Sequence, residues 1–168
     1  STSATTTAEN SGGSLTLTAT LSTATTANVT VSIGTSGTAS EGTDYGTISD
    51  ITISAGSTTG TTSFTPSNDS SVEGNETATV SITGVSGGSA TEDGTQAVTI
   101  TITDDDTTPT VTLTSSATSI AENSGSSITL TATLSTADSS NVTVSFSTSG
   151  TATEGTDYAN TVSYTHLT

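Results

Sequence analysis

Residues 9–45 read ENSGGSLTLTATLSTATTANVTVSIGTSGTASEGTDY, and residues 122–158 read ENSGSSITLTATLSTADSSNVTVSFSTSGTATEGTDY. About 29 of these 37 positions are identical, and the second copy begins 113 residues after the first. A period of roughly 100 residues is the size of an immunoglobulin-like sandwich, far longer than a leucine-rich, ankyrin or propeller-blade repeat, so the repeating unit is a whole domain. Inside the first copy, SLTLTATL (14–21) places Leu15, Leu17, Ala19 and Leu21 at alternate positions with Thr between them. That two-residue period belongs to a strand with one buried face and one wet face.

The same alternation recurs outward from this run. It predicts strands over 28–33, 48–53, 60–65, 77–83 and 96–103, the last carrying Val98, Ile100 and Ile102 on one face. Clusters of Gly, Ser, Asn and Asp separate the runs and suit turns. A further strand over 110–113 opens the second copy after Pro109, which brings a full unit to about seven strands. Helix signals are absent. The expected fold is therefore all-β, with tandem immunoglobulin-like sandwiches: residues 1–106, a short linker 107–109, and the first half of a second sandwich over 110–168. Before Glu122 stands the strand VTLTSS (111–116), whereas STSATTTA (1–8) precedes Glu9, so the first unit is expected to lack most of its opening strand. The tail VSYTHLT (162–168) departs from the repeat and carries no weight in this reading.

Composition agrees with two thinly filled cores. Only 28% of residues are hydrophobic and 3% aromatic, too few for one large core, while the abundant Thr and Val are β-branched and suit a pleated sheet. There is no Lys or Arg against sixteen Asp and Glu, for a formal charge of −16. Nothing in the chain can neutralise a phosphate, so nucleic acid and anionic membrane surfaces are excluded as expected partners. No stretch approaches the roughly 20 apolar residues of a membrane span, and direct membrane insertion is not expected. Cys is absent, leaving oxygen as the principal ligand type, which hard cations such as calcium prefer.

Eight acidic residues fall at particular places in the first unit: Glu9 ahead of the first full strand, Asp44 in GTDY, Asp69, Glu73 and Glu76 in NDSSVEGNE, and Asp104, Asp105 and Asp106 after the last strand. Loops of a seven-stranded sandwich alternate between its two ends, so several of these can meet at one end. Calcium takes six to eight oxygens, which demands carboxylates from separate loops. The twelve-residue loop of an EF-hand, with its central Gly and closing Glu, is missing. For Asp104–Asp106 alone, a solvated acidic linker is the plain alternative.

Taken together, ENSG, LTLTATLS, GTASEGTDY, NDSSVEGNET and VTITITDDD resemble the Calx-β family, a repeat first recognised in sodium–calcium exchangers and common in bacterial surface proteins. The resemblance covers almost the whole chain. It implies an immunoglobulin-like sandwich with calcium at one end, and ligands at Glu9, Asp44, Asp69, Glu73, Asp104, Asp105 and Asp106, with Glu76 beside them. One position departs from the family: Asn68 stands where two successive aspartates are usual, which removes a charge and implies fewer or weaker ions. In the second unit only Glu122 and Asp157 match, a partial site.

Other residues are given plainer roles. Tyr45 and Tyr158 are expected to anchor loops against the core, Glu41 and Glu154 to be turn carboxylates, and Glu92 and Asp93 to sit at a hairpin tip. A Ser, His and Asp triad would rest on His166 alone, and two paired carboxylates without aromatics to stack a sugar do not make a glycosidase, so no enzyme is expected. The reading is a calcium-binding structural repeat of a large extracellular or cell-surface protein, an adhesin-type stalk, in which calcium stiffens the domain end and the joint to the next repeat. Its partners would be calcium ions, neighbouring repeats and a cell-surface or matrix ligand. Two alternatives are a glycan- or protein-recognition module with structural calcium and the regulatory calcium-sensor domain of an ion exchanger.

Overall fold

The computed structural model describes residues 1–137, 140–159 and 166–167. The chain divides into two compact units, Ser1–Asp106 and Thr107–Thr168. The first is a two-sheet sandwich of seven strands: β1 (Thr6–Ala8), β2 (Leu15–Thr20), β3 (Val29–Gly37), β4 (Ile51–Ile53), β5 (Thr59–Phe64), β6 (Glu76–Ser86) and β7 (Ala97–Thr103). One sheet runs in the order β1-β7-β6-β3-β4, and the other pairs β2 with β5. Ser1–Ser3 lie along the outer edge of β2, through Ser3 N–H to the Thr16 carbonyl at 3.0 Å and Thr18 N–H to the Ser1 carbonyl at 2.8 Å.

The alternation read from the sequence is what closes this sandwich. Leu17, Phe64, Ala78, Val80, Ile100 and Ile102 turn inward with Tyr45 to form one buried cluster, and Val29, Val31, Ile51 and Ile53 form a second. The intervening Thr residues of β5 face water or half-bury. Tyr45, 1% exposed, stacks on Phe64 with ring centroids 4.8 Å apart, and so pins the loop after β3 against the core. Burial on this scale contributes on the order of 1.5–3 kcal/mol per large side chain.

Three local features were not legible as strands or turns. β1 pairs in parallel with β7, Thr6 opposite Thr101 and Ala8 opposite Thr103. Its sequence, TTA, has no apolar alternation because its inward residue is Thr7, buried at 8% exposure. Although helix signals are absent, ENS forms a single 3-10 turn in each unit, Glu9–Ser11 and Glu122–Ser124, each ended by a left-handed glycine (Gly12, φ 61°; Gly125, φ 64°). β3 runs on past Ile33 to Gly37 through a bulge at Ser32/Ile33, where Asp50 accepts from Ile33 N–H at 3.0 Å and Ser32 Oγ at 3.1 Å. At Gly37, φ is 132° and a Cβ would strike the Thr77 carbonyl, so the strand can swing into the next loop only with glycine there.

The second unit holds β8 (Val111–Ser115), β9 (Leu130–Leu134), β10 (Val142–Thr143) and β11 (His166–Leu167). β8 pairs antiparallel with β9, and β10 with β11. Of the tail over 162–168, only His166 and Leu167 lie among the described residues. Val111, Leu113, Ile120 and Leu130 stand 42–55% exposed. Leu130 matches Leu17 of the first unit, which is buried in one cluster with Ala78 and Val80 of β6 and Ile100 and Ile102 of β7, and no counterpart of those strands occurs among the described residues of the second.

Candidate metal centre

Strand register determines which side chains can meet. Because β1 runs parallel to β7 with Ala8 opposite Thr103, the residues that follow them, Glu9 and Asp104, emerge side by side. β6 is antiparallel to β7 with Glu76 opposite Ile102, which brings Glu76 to the same end. The loop after β3, carrying Asp44, and the loop from β5 to β6, carrying Asp69 and Glu73, close over that end. They are stitched together by Ser67 N–H to the Asp44 carbonyl at 2.9 Å and Gly46 N–H to the Thr65 carbonyl at 2.9 Å.

Six carboxylates gather here as two trios. In one, oxygens of Glu9, Asp104 and Asp106 lie within 4.8 Å of one another; in the other, oxygens of Asp44, Glu73 and Glu76 do the same. Members of both trios line one small cavity, with Ser67, Gly74 and Ile102. Glu9 is buried and its Oε1 accepts from Asp69 N–H at 2.7 Å. Asp104 organises the rest: its Oδ2 accepts from Glu73 N–H at 2.9 Å and Gly74 N–H at 2.6 Å, its Oδ1 from Asp106 N–H at 2.8 Å, and its own N–H reaches Asn75 Oδ1 at 3.3 Å. Asp44 is held by Ser40 N–H to its Oδ2 at 2.6 Å.

The electrostatics follow from this crowding. Burial, and then repulsion from Asp69, Asp106 and Asp104, raises the Glu9 pKa above its ordinary value, opposed by the Asp69 N–H. Desolvation also leads in raising Asp106, followed by repulsion from Asp105, Asp104 and Asp69. Glu73 is raised by desolvation together with Asp69, Asp44 and the aspartates after β7, and Glu76 by desolvation and its contact with Asp44. Asp104 alone moves down, because the N–H groups of Gly74, Asp106 and Glu73 stabilise its charge. Asp106 Oδ2 is buried and, among the described residues, is the one buried side-chain oxygen without a hydrogen-bond partner. The chain has no Lys or Arg to answer it. An all-oxygen donor set, two converging trios and an orphaned carboxylate oxygen fit a hard divalent cation.

Two further expected ligands, Asp69 and Asp105, border the trios without joining either. Asp69 belongs to neither trio; its backbone N–H holds Glu9 while its Oδ1 accepts from Ser71 N–H at 2.6 Å. Asp105 points outward and accepts from Asn10 Nδ2 at 2.5 Å. Asn68 turns its amide onto the Asp69 carbonyl at 3.1 Å. In the second unit Asp157 repeats the Asp44 loop bond, accepting from Thr153 N–H at 2.8 Å, and Glu122 is exposed where Glu9 is buried. No trio includes either of them among the described residues. Asn10 and Asn75 are the contributors sequence reasoning missed. Both lie inside motifs already singled out, ENSG and EGNE, but as neutral residues they carry no ligand signal of their own.

A family model described as Calx-beta domain matches residues 2–106 and again residues 104–165. The chain belongs to the Calx-beta domain family. Among solved structures, the Calx-beta chain is similar to the crystal structure of CBD12 from CALX1.2 and to that of calcium binding domain CBD12 of CALX1.1. Each is 24% identical at a TM-score of 0.51, covering 60% of this chain and 41% of that one. It is similar as well to the apo-form Calx CBD1 domain, at 24% identity and a TM-score of 0.50, covering 60% of this chain and 89% of the other. These likenesses establish the immunoglobulin-like sandwich expected from the alternation. The chain thus spans about two fifths of the length of the CBD12 chains. No curated protein sequence matches the chain.

Proposed function

We propose that residues 1–106 form a calcium-binding structural module, one repeat of an extracellular or cell-surface stalk, in which the ion locks the loop end of the sandwich. The observation that carries this reading is the pair of carboxylate trios around one cavity, with Asp106 Oδ2 buried and unpartnered and no cationic side chain in the chain. Family membership supports it, as does the likeness to calcium binding domain CBD12 of CALX1.1. Glu9 with Asp104 and Asp106, and Asp44 with Glu73 and Glu76, would hold the ions, which supply the positive charge that six converging carboxylates require. Asp104 and Glu9 already tie the end of β7 and the start of the 3-10 turn to the β5–β6 loop through backbone N–H groups. An ion there cross-links four segments distant in sequence and stiffens the end from which the chain continues into Thr107. We read no catalytic role into these carboxylates.

A polyanionic surface without Lys or Arg and a tandem arrangement of like domains suit a solvated spacer in a calcium-rich exterior. The test is calorimetric titration of the chain with calcium, beside an Asp104→Ala, Asp106→Ala double variant. Saturable heat from the parent chain that is lost in the variant is expected. Equal heats from the two would overturn the assignment.

A further inference from the structure

The segment that closes the metal centre carries three carboxylates in a row. Asp104, Asp105 and Asp106 follow β7 in a chain without Lys or Arg, so no cationic side chain holds them against their mutual repulsion. Their exposure alternates. Asp104 and Asp106 are half-buried at the trio with Glu9, and Asp105 stands exposed between them. On the inner side, Asp104 Oδ2 accepts from the Glu73 and Gly74 amides, and Asp104 N–H bonds Asn75 Oδ1 at 3.3 Å. On the outer side, the Asp105 carboxylate has one hydrogen-bond partner among the described residues: Asn10 Nδ2, at 2.5 Å and 95 residues away in sequence.

Asn10 is presented by the 3-10 turn Glu9–Ser11, the same turn that buries Glu9. That turn does not depend on the contact with Asp105. The second unit forms it over Glu122–Ser124 with the same left-handed glycine after it, and there no acidic side chain bonds Asn123 among the described residues. Local sequence therefore builds the turn, which delivers Glu9 to the inner face of the 104–106 segment and Asn10 to its outer face. A neutral amide suits the outer place, since it donates to a carboxylate without setting a competing cation beside the centre.

Resting on the calcium reading above, we propose that Asn10 is a positioning residue of the metal centre: its amide holds Asp105 outward and thereby fixes Asp104 and Asp106 inward, where an ion meets them. Asp105 is an anchor for the segment and not a ligand. Asn10 touches no ion. It pre-orders the segment, so that less of the ordering cost falls on ion binding.

The full chain is titrated with calcium by calorimetry, and its amide hydrogen exchange is followed in chelator. Asn10→Ala is expected to weaken calcium at least fivefold at unchanged stoichiometry. In chelator it is expected to speed exchange of the Asp104 and Asp106 amides at least fivefold, while the β6–β7 ladder exchanges as in the parent. In an Asp105→Ala background the same substitution is expected to change neither quantity. The swapped pair Asn10→Asp, Asp105→Asn keeps the net charge and lets an amide at 105 donate to a carboxylate at 10, so parent affinity and parent exchange are expected. Unchanged exchange of Asp104 and Asp106 in Asn10→Ala, tighter calcium binding by Asn10→Ala, or a swapped pair as weak as Asn10→Ala would overturn the assignment. A parent chain that takes up no calcium would sink the calcium reading, while exchange in chelator still decides whether Asn10 holds the segment.

Discussion

Glu9→Gln separates the charge of the metal centre from its architecture. The amide keeps an oxygen for the Asp69 N–H, now received by Glu9 Oε1 at 2.7 Å, and retains the side-chain volume in a buried position. It removes one of the three negative charges in the trio with Asp104 and Asp106. In chelator the variant is therefore expected to melt at the parent temperature or above it, since repulsion with Asp69, Asp106 and Asp104 is relieved. In calcium the order reverses. An ion bound only to the folded state, at a free concentration a hundredfold above its Kd, contributes about 2.7 kcal/mol. For a unit of this size ~4–8 °C accompanies each kcal/mol, so the parent melt should rise by roughly 10–20 °C between chelator and saturating calcium. Each tenfold loss of affinity removes about 1.4 kcal/mol of that gain, and the variant's rise should shrink accordingly. Melting followed by circular dichroism in the two buffers measures both terms. Parent and variant shifting equally with calcium, or the variant melting well below the parent in chelator, would refute the reasoning.

Other outcomes follow from the same geometry. Glu9, Glu73, Glu76 and Asp106 have pKa values raised in the folded state, so their protonation favours folding; their contribution is fully present below the ordinary values near 4.5 and 3.8 and is lost as pH rises through the higher folded values. In calcium-free buffer the first unit should therefore melt higher near pH 5 than at pH 7, the reverse of the usual acid trend, while Asp104, whose pKa is lowered, contributes in the opposite sense only below about 3.8. Ile100→Ala, at a site of 0% exposure, should cost about 2–5 kcal/mol in denaturant unfolding without altering calcium stoichiometry. Asp157→Ala should leave the calorimetric stoichiometry unchanged, because no trio in the second unit includes it among the described residues.

Strand positions were legible in the sequence because an exposed-and-buried sheet leaves a period of two, as in Leu15, Leu17 and Ala19 or Val98, Ile100 and Ile102. β1 escaped because it is three residues long and buries a Thr, and the extension of β3 to Gly37 escaped because it runs through Gly and polar residues past a bulge held by Asp50. The acidic motifs showed which loops matter, since loop order alone brings Glu9, Asp44, Glu73, Glu76 and Asp104 to one end. What spacing does not encode is side-chain aim. Asp104, Asp105 and Asp106 are consecutive, yet Asp105 turns out to Asn10 while Asp104 and Asp106 turn in, because Asp104 is clamped by the Glu73 and Gly74 amides and itself holds Asp106 N–H. Asp69 is likewise a neighbour: its backbone N–H bonds Glu9, while its carboxylate belongs to neither trio.

The most direct test of the metal centre is a crystal structure of the chain grown in calcium, with anomalous scattering to identify the ion. Density for calcium between Glu9, Asp104 and Asp106, with Asp106 Oδ2 among its ligands, is predicted. Calcium absent from both trios, with Asp106 Oδ2 taken up by another partner, would contradict the account.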